Sequence, residues 1–244
     1  MKYHDTHFHL DLMSNPIDIV NQIEKSKVYT IAVTNSPKVY FYTENITKNT
    51  KYIRPALGLH PELVGERHQE IDKFISLLSK TKYIGEIGLD NYNKSPVDYK
   101  RQVQVFEKII SECTNFSDKV LTVHSRKAEN DLLDIFGKSF PGKVILHWYS
   151  GSIKNLEIAV SRGYYFSINY QMTKSKNGQK IIDSIPINQI LLETDGPFTS
   201  LGSKKFTPLM VDSILDKICH LKKDYNSDKL KNVILNNIYD LIQN

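Results

Sequence analysis

Near the start of the chain, His7 and His9 stand two residues apart at the end of an apolar run, in the sequence Asp-Thr-His-Phe-His at residues 5–9. Alternate residues of a strand share one face, so both imidazoles point the same way if residues 3–9 form a strand. Imidazole is the commonest metal ligand among side chains. The pair is therefore predicted to hold a metal ion.

Side chains of metal-ligand type also end four other apolar runs, and these are Glu86, His124, His147 and Asp195. A buried carboxylate without a partner is costly, and residues 84–90 around Glu86 contain no basic residue, so a cation is predicted beside it. His60 ends another run and is predicted to contact substrate or to support the site. His4, His68 and His220 fall outside the pattern and are predicted to be surface or helix histidines.

The elements that must position these groups are read from hydrophobic periodicity. Short runs rich in Val, Ile, Tyr and Thr predict strands, and the stretches between them have helical spacing. The predicted strands are residues 3–9, 28–34, 52–59, 83–87, 119–124, 143–147, 164–168 and 189–194. The predicted helices include residues 97–113, 152–161, 175–184, 208–221 and 228–242.

Strand–helix alternation indicates an α/β fold with a parallel sheet. Eight such units in 244 residues fit a (β/α)₈ TIM barrel with extra C-terminal helices, in which active sites lie at the carboxyl ends of the strands. A doubly wound open sheet is the competing architecture, but no glycine-rich dinucleotide turn follows the first strand. We expect one domain over residues 1–244, with some distortion of the barrel.

The composition is that of an ordinary globular protein, with 40% hydrophobic and 24% charged residues. The net charge of +5 permits binding to a polyanion but is not evidence for it. Two isolated cysteines, Cys113 and Cys219, form neither a disulfide framework nor a zinc knuckle. No signal peptide or membrane span is apparent, so a cytoplasmic protein without membrane association is predicted.

Together these motifs resemble those of the TatD family of metal-dependent deoxyribonucleases, within the amidohydrolase superfamily of barrels. The motifs lie at residues 5–11, 58–61, 84–90, 124–126, 147–151 and 193–195, and the resemblance covers residues 3 to about 198. It implies hydrolysis of DNA phosphodiester bonds, with single strands favoured, 3′→5′ exonuclease action expected and RNA as a further substrate.

The resemblance also implies a site for divalent ions, one to three in number with two expected, as Mg²⁺, Mn²⁺ or Zn²⁺. Glu86 is implied as the carboxylate that bridges the ions, and Asp195 is our candidate to orient the attacking water and take its proton. The implied ligands are His7, His9 and Asp195 for one ion and His124 and His147 for the other.

Substrate contacts are assigned to side chains near the strand mouths. His60 and Arg126 are implied contacts with the substrate phosphate, for which the planar donor fork of arginine is suited. Tyr149 is predicted to stack on bases, as are Trp148 and Tyr92.

Several positions depart from the family pattern. Glu62 stands where a second histidine is usual, Gly196 where alanine is usual, and Trp148-Tyr149 where Cys-Phe is usual. With these departures the chain resembles the TatD-like component of Qat, a multi-gene bacterial anti-phage system. This resemblance implies partner proteins from a defence operon.

Two other functions remain open from sequence. Amidohydrolases that open lactones, amides or phosphotriesters share the barrel, but many of them bridge their metals with a carboxylated lysine, whereas strand four offers Glu86. A non-catalytic, metal-stabilised subunit of a defence complex is the other alternative, although every candidate ligand is present.

Overall fold

The computed structural model describes residues 1–243 and contains eight parallel strands that alternate with helices. The parallel strands are β1 (Tyr3–Phe8), β2 (Val28–Ala32), β3 (Ile53–Pro55), β4 (Tyr83–Asp90), β5 (Val120–Arg126), β6 (Lys143–His147), β7 (Tyr165–Ile168) and β8 (Ile190–Leu192), and a hairpin of β9 (Ser200–Leu201) and β10 (Lys204–Lys205) follows. The helices are α1 (Pro16–Ser26), α2 (Pro37–Thr47), α3 (Val64–Arg67), α4 (Ile71–Leu77), α5 (Pro96–Cys113), α6 (Glu129–Phe136), α7 (Ile153–Ser161), α8 (Tyr170–Lys174), α9 (Lys176–Ser184), α10 (Val211–Leu221) and α11 (Ser227–Ile242).

The strands follow the order of a (β/α)₈ barrel, which confirms the predicted fold class. Continuous parallel ladders join β1, β2 and β3 and, separately, β4 through β8. Between the two ladders, a single parallel bridge joins Leu57 to Ile84. The predicted distortion of the barrel is located at the β3–β4 and β8–β1 boundaries, where the continuous ladder is interrupted.

The boundary between β8 and β1 is held by hydrogen bonds that involve side chains. The hydroxyl of Thr6 donates to the carbonyl of Leu192 at 3.2 Å, and the backbone N–H of Thr194 donates to Asp5 Oδ1 at 3.0 Å. The backbone N–H of Asp195 donates to the carbonyl of His7 at 2.9 Å. This last bond connects two predicted metal ligands directly through the backbone.

Helix starts follow the expected capping chemistry. The side chains of Ser36, Ser95, Ser152 and Asn226 accept backbone N–H bonds at the first turns of α2, α5, α7 and α11. The predicted third strand was longer than the one observed, because only residues 53–55 form the ladder with β2, and beyond them the chain turns to the isolated bridge between Leu57 and Ile84 of β4. Among residues 1–243, no helix has the length and apolar character needed to cross a membrane.

His4 corrects the sequence prediction. It was assigned to the surface or a helix, but it lies fully buried in β1, where its Nε2 accepts the backbone N–H of Leu192 at 3.0 Å. Burial lowers the pKa of this imidazole to about 3. His4 is therefore a neutral part of the β1–β8 boundary.

The buried His4 predicts a specific acid sensitivity. Below the ordinary histidine pKa of about 6.5, the unfolded chain gains a proton that folded His4 excludes, so this group destabilises the fold as pH falls from about 6.5 toward 3. Between roughly pH 6 and 5, we expect the free energy of unfolding of the wild type to fall by up to about 1.4 kcal/mol more per pH unit than that of His4→Gln. Urea unfolding at several pH values measures this difference. His220→Gln, at an exposed histidine, is the control, and equal slopes for wild type and His4→Gln would contradict the prediction.

Candidate metal centre

The centre of the site is the carboxylate of Glu86, which β4 places in the barrel with 2% of the residue exposed. Its Oε2 lies 3.3 Å from His7 Nε2 and 3.3 Å from His9 Nε2. Its other oxygen, Oε1, faces a separate group at 2.8–3.2 Å, namely His124, His147 and His60. One carboxylate therefore has two sets of imidazoles, one on each oxygen.

The first set, His7 and His9, comes from the end of β1 and is completed by Asp195 beyond β8. Asp195 Oδ1 lies 3.5 Å from His9 Nε2 and 3.9 Å from His7 Nε2. His7 Nδ1 lies 2.8 Å from the hydroxyl of Thr122, and donation to this hydroxyl leaves the Nε2 lone pair facing the carboxylates. The structure thus brings together the three residues predicted to hold one ion.

The second set, His124 and His147, comes from β5 and β6 and is backed by acids. His124 points Nδ1 at Glu86 and places its other nitrogen 3.0 Å from Asp90 Oδ2. His147 points Nε2 at Glu86 and has Nδ1 3.6 Å from Glu193 Oε2. Metal-binding histidines commonly donate their second ring N–H to such an acceptor, which fixes the ring and raises its basicity.

His60 is arranged differently from the other imidazoles. Its Nδ1 accepts the backbone N–H of Glu62 at 3.2 Å, so in the neutral ring the proton is on Nε2. That Nε2 lies 3.2 Å from Glu86 Oε1. His60, Glu86 and His124 also lie close enough together to hold an ion, so His60 can serve as a ligand or as the predicted substrate contact.

Close backbone approach sets the spacing between Glu86 and His124. Gly88 has a φ of 139°, and a Cβ at this position would lie 2.1 Å from the carbonyl oxygen of His124. Only glycine therefore lets β4 lie this close to β5.

The pKa values in the metal-free protein follow from burial and from these neighbours. Burial alone would raise the pKa of Glu86, but the imidazoles of His60, His147 and His7 hold it well below its ordinary value. Burial opposes a charge on His9, yet hydrogen bonds with Asp195 and Glu86 raise its pKa to about 9. Glu86 is thus ionised, and its buried negative charge favours a positive charge beside it.

The donor set fits divalent cations. His7 Nε2 is fully buried and has no hydrogen-bond partner among the described residues, although two carboxylate oxygens face it. Mixed imidazole and carboxylate donors suit Zn²⁺ and Mn²⁺, and carboxylates suit Mg²⁺. A bound cation would satisfy this nitrogen and both carboxylates.

A cavity of about 330 Å³ opens beside the second set of histidines, and it is lined by His124, Ser125, Arg126, His147, Trp148 and Ser150. Arg126 stacks over the ring of Tyr92, with its guanidinium carbon 3.9 Å from the ring centroid. Arg126, Trp148 and Tyr92 thus lie at or beside this cavity, and their contacts with substrate stay predictions.

Tyr149 is not available to substrate, which corrects the prediction that it stacks on bases. The residue is 1% exposed, its ring packs against Phe166 and its hydroxyl donates to the carbonyl of Ser152 at 2.7 Å. It stabilises the loop after β6 from inside.

Sequence reasoning missed the acids behind the histidines. Asp90 shares strand parity with Glu86 in β4, and Glu193 shares the sequence parity of Asp195 just beyond β8, but neither acid was given a role at the site. Glu193 is fully buried, accepts the backbone N–H of Trp148 at 3.1 Å and accepts from the amide of Asn169 at 2.9 Å.

With this geometry established, comparison with known proteins identifies the family. The profile described as TatD related DNase matches residues 4–243. The chain belongs to this family of metal-dependent hydrolases.

Similar proteins agree with this assignment over nearly the whole chain. An uncharacterized metal-dependent hydrolase of Methanocaldococcus jannaschii is 27% identical over 97% of this chain and 95% of its own. The human protein named deoxyribonuclease TATDN3 is 26% identical over 82% of this chain and 79% of its own.

Solved structures share the fold. The TatD homologue YJJV of Escherichia coli superposes with a TM-score of 0.89 at 22% identity, covering 100% of this chain and 98% of its own. A TatD family hydrolase of Entamoeba histolytica gives a TM-score of 0.82 at 16% identity, covering 99% of this chain and 98% of its own.

The acid behind His124 generates a prediction about metal affinity. Asp90→Ala removes the acceptor at His124 Nε2, so the ring loses its fixed orientation and part of its basicity. We expect affinity for Mn²⁺ or Zn²⁺ at the second histidine set to fall about 10–100-fold, measured by calorimetric titration of metal-free protein. Asp216→Ala, at an exposed acid on α10, is the control, and unchanged affinity in Asp90→Ala would contradict the role.

Proposed function

We propose that the protein hydrolyses phosphodiester bonds in DNA with two divalent ions held on either side of Glu86. The observation that carries this proposal is the division of one carboxylate between two ligand sets. His7, His9 and Asp195 face Oε2 of Glu86 or lie beside it, and His124 and His147 face Oε1. A carboxylate shared in this way is suited to bridge a two-ion centre.

Divalent ions at such a centre stabilise charge on the phosphodiester and make hydroxide available at neutral pH. Around them, Glu86 fixes the separation of the two sites. Asp195 Oδ1, close to the first histidine set, orients the attacking water and accepts its proton. His60 Nε2, which faces Glu86 Oε1 in the metal-free protein, lies where it could donate to a phosphate oxygen once ions neutralise that carboxylate.

The side chains around the cavity favour a nucleic acid as the substrate rather than a small neutral molecule. Arg126 is half-exposed at the cavity, where its donor fork can pair with phosphate oxygens. Trp148 lines the same cavity, and Tyr92 supports Arg126 from below. A cation beside aromatic rings is the arrangement by which proteins hold single-stranded nucleic acids.

The finer assignments remain predictions that rest on the family resemblance. They are the preference for single strands, 3′→5′ exonuclease polarity, action on RNA and participation in anti-phage defence with partner proteins. End-labelled DNA and RNA, tested with Mg²⁺, Mn²⁺ and Zn²⁺, separate exonuclease from endonuclease and establish the polarity.

Removing the shared carboxylate should abolish nuclease activity. Glu86→Gln keeps the shape of the side chain but removes the charge on which both ligand sets converge, and His124→Ala removes a ligand of one set. We expect each of the two variants to reduce the rate of DNA hydrolysis by more than roughly 10–100-fold, which is the usual loss when a residue that only supports a metal ligand is removed. EDTA should stop the wild-type reaction, since the ions supply the chemistry.

Glu62→Gln is the matched control for this experiment, because it makes the same exchange at a half-exposed acid on the neighbouring loop. Full activity in Glu86→Gln would refute the site assignment. EDTA-sensitive hydrolysis of a lactone or amide, without DNA cleavage, would instead support the amidohydrolase alternative. Bound metal without turnover of any substrate would support a non-catalytic subunit.

Arg126 should contribute to substrate binding more than to chemistry. Arg126→Ala removes a phosphate partner beside the centre while leaving every proposed ligand in place. We expect KM for DNA to rise about 10-fold with a smaller change in kcat, and Arg126→Lys to recover part of the loss because it keeps the charge but not the planar fork. A fall in kcat at unchanged KM would contradict this role.

A further inference from the structure

Phe198 is an aromatic residue at the edge of the metal centre that the proposed mechanism does not use. It is 59% exposed, although its ring lies edge-on to His9 with centroids 5.0 Å apart. It lies on the first ligand set's side of Glu86, whereas Arg126 and Tyr92 flank the second.

The position of Phe198 is fixed by the backbone. Its N–H donates to the carbonyl of Asp195 at 2.9 Å, and the N–H of Thr199 donates to the same carbonyl at 3.2 Å. The turn that carries a proposed ligand thus also presents the ring. The exposed ring is therefore held beside His9 by the backbone, where it can contact a molecule bound at the site.

The chain continues from Phe198 into a basic hairpin. β9 and β10 pair Leu201 with Lys204 and Ser200 with Lys205, and both lysines are exposed. Neither lysine forms an ion pair with any residue in the described range 1–243. The hairpin returns to the barrel at Phe206, which is fully buried.

We propose that the segment formed by residues 198–205 is a binding subsite for single-stranded DNA that flanks the scissile phosphate. The Phe198 ring stacks on the unpaired base beside that phosphate, and Lys204 and Lys205 pair with phosphates further along the strand. The proposal rests on the proposed function for its substrate. Stacking on Phe198 requires an unpaired base, and every base has a face to stack, so the subsite selects single strands without selecting sequence.

The test measures equilibrium binding of a fluorescent oligothymidylate with phosphorothioate linkages, which resist hydrolysis, to the full chain with Mn²⁺. Phe198→Ala should weaken binding about 10-fold, since base stacking on an aromatic residue contributes roughly 1–3 kcal/mol. Phe198→Tyr should retain wild-type affinity because it keeps the ring.

The lysines are tested by the salt dependence of the same binding. Two lost phosphate contacts should reduce the slope of log K against log salt by about 1.4 in the Lys204→Gln/Lys205→Gln double variant. Lys25→Gln/Lys223→Gln removes the same charge from the opposite end of the barrel and should leave the slope unchanged. Tyr239→Ala, at an exposed ring on α11, is the matched control for Phe198→Ala.

A hydrolysis assay separates this inference from the proposed function. In kcat/KM, Phe198→Ala should lose about 10-fold more on a single-stranded oligonucleotide than on its abasic counterpart, which keeps the phosphates but has no base to stack. If Phe198→Ala bound DNA with wild-type affinity and the double lysine variant kept the wild-type salt slope, the inference would be wrong. Hydrolysis of DNA by the wild type would still support the proposed function. DNA that bound through this segment but was never hydrolysed would overturn the function alone, and a wild type that bound no oligonucleotide would overturn the inference.

Discussion

A buried carboxylate must be balanced, and in this protein the balance of Glu86 organises the site. An ionised carboxylate taken from water into a protein interior costs several kcal/mol unless it gains partners. Glu86 gains five imidazoles within 3.3 Å, and they are His7, His9, His60, His124 and His147. The imidazoles come from the ends of β1, β5 and β6 and from the segment after β3, so the fold must gather these four parts of the chain around β4, which carries Glu86.

The charges around Glu86 are arranged in layers. Imidazoles surround the central carboxylate, and further acids lie behind them, with Asp90 behind His124 and Glu193 behind His147. Asp90 Oδ2 lies 3.0 Å from the outer nitrogen of His124, and Glu193 Oε2 lies 3.6 Å from that of His147, so both acids face the ring edge that is turned away from Glu86. Acceptors in such positions orient metal-binding imidazoles. The same layers therefore stabilise the metal-free fold and prepare the ligands.

Much of this arrangement could be predicted from sequence, because it depends on short-range rules. Strand parity identified His7, His9 and Glu86, and alternation of strands and helices identified the barrel. Burial was harder to predict, since it depends on neighbours distant in sequence. Tyr149 follows a ligand but turns inward onto Phe166, and His4 precedes the first motif but packs against β8. The β9–β10 hairpin is only two residues per strand, too short for a periodic signal.

The departures from the family pattern can now be given a physical context. Gly196 stands where alanine is usual, and a Cβ there would lie 2.0 Å from the carbonyl oxygen of Phe206. The missing side chain lets the chain after the hairpin lie against Gly196, next to Asp195, where the N–H of Phe206 donates to the carbonyl of Thr199. The proposed ligands lie at or next to the ends of strands that are fixed by the barrel, whereas the substrate surface lies on loops that can change without disturbing them. Divergence beyond Asp195 can therefore change the segment that carries Phe198 and the two lysines while leaving Glu86 and its imidazoles in place.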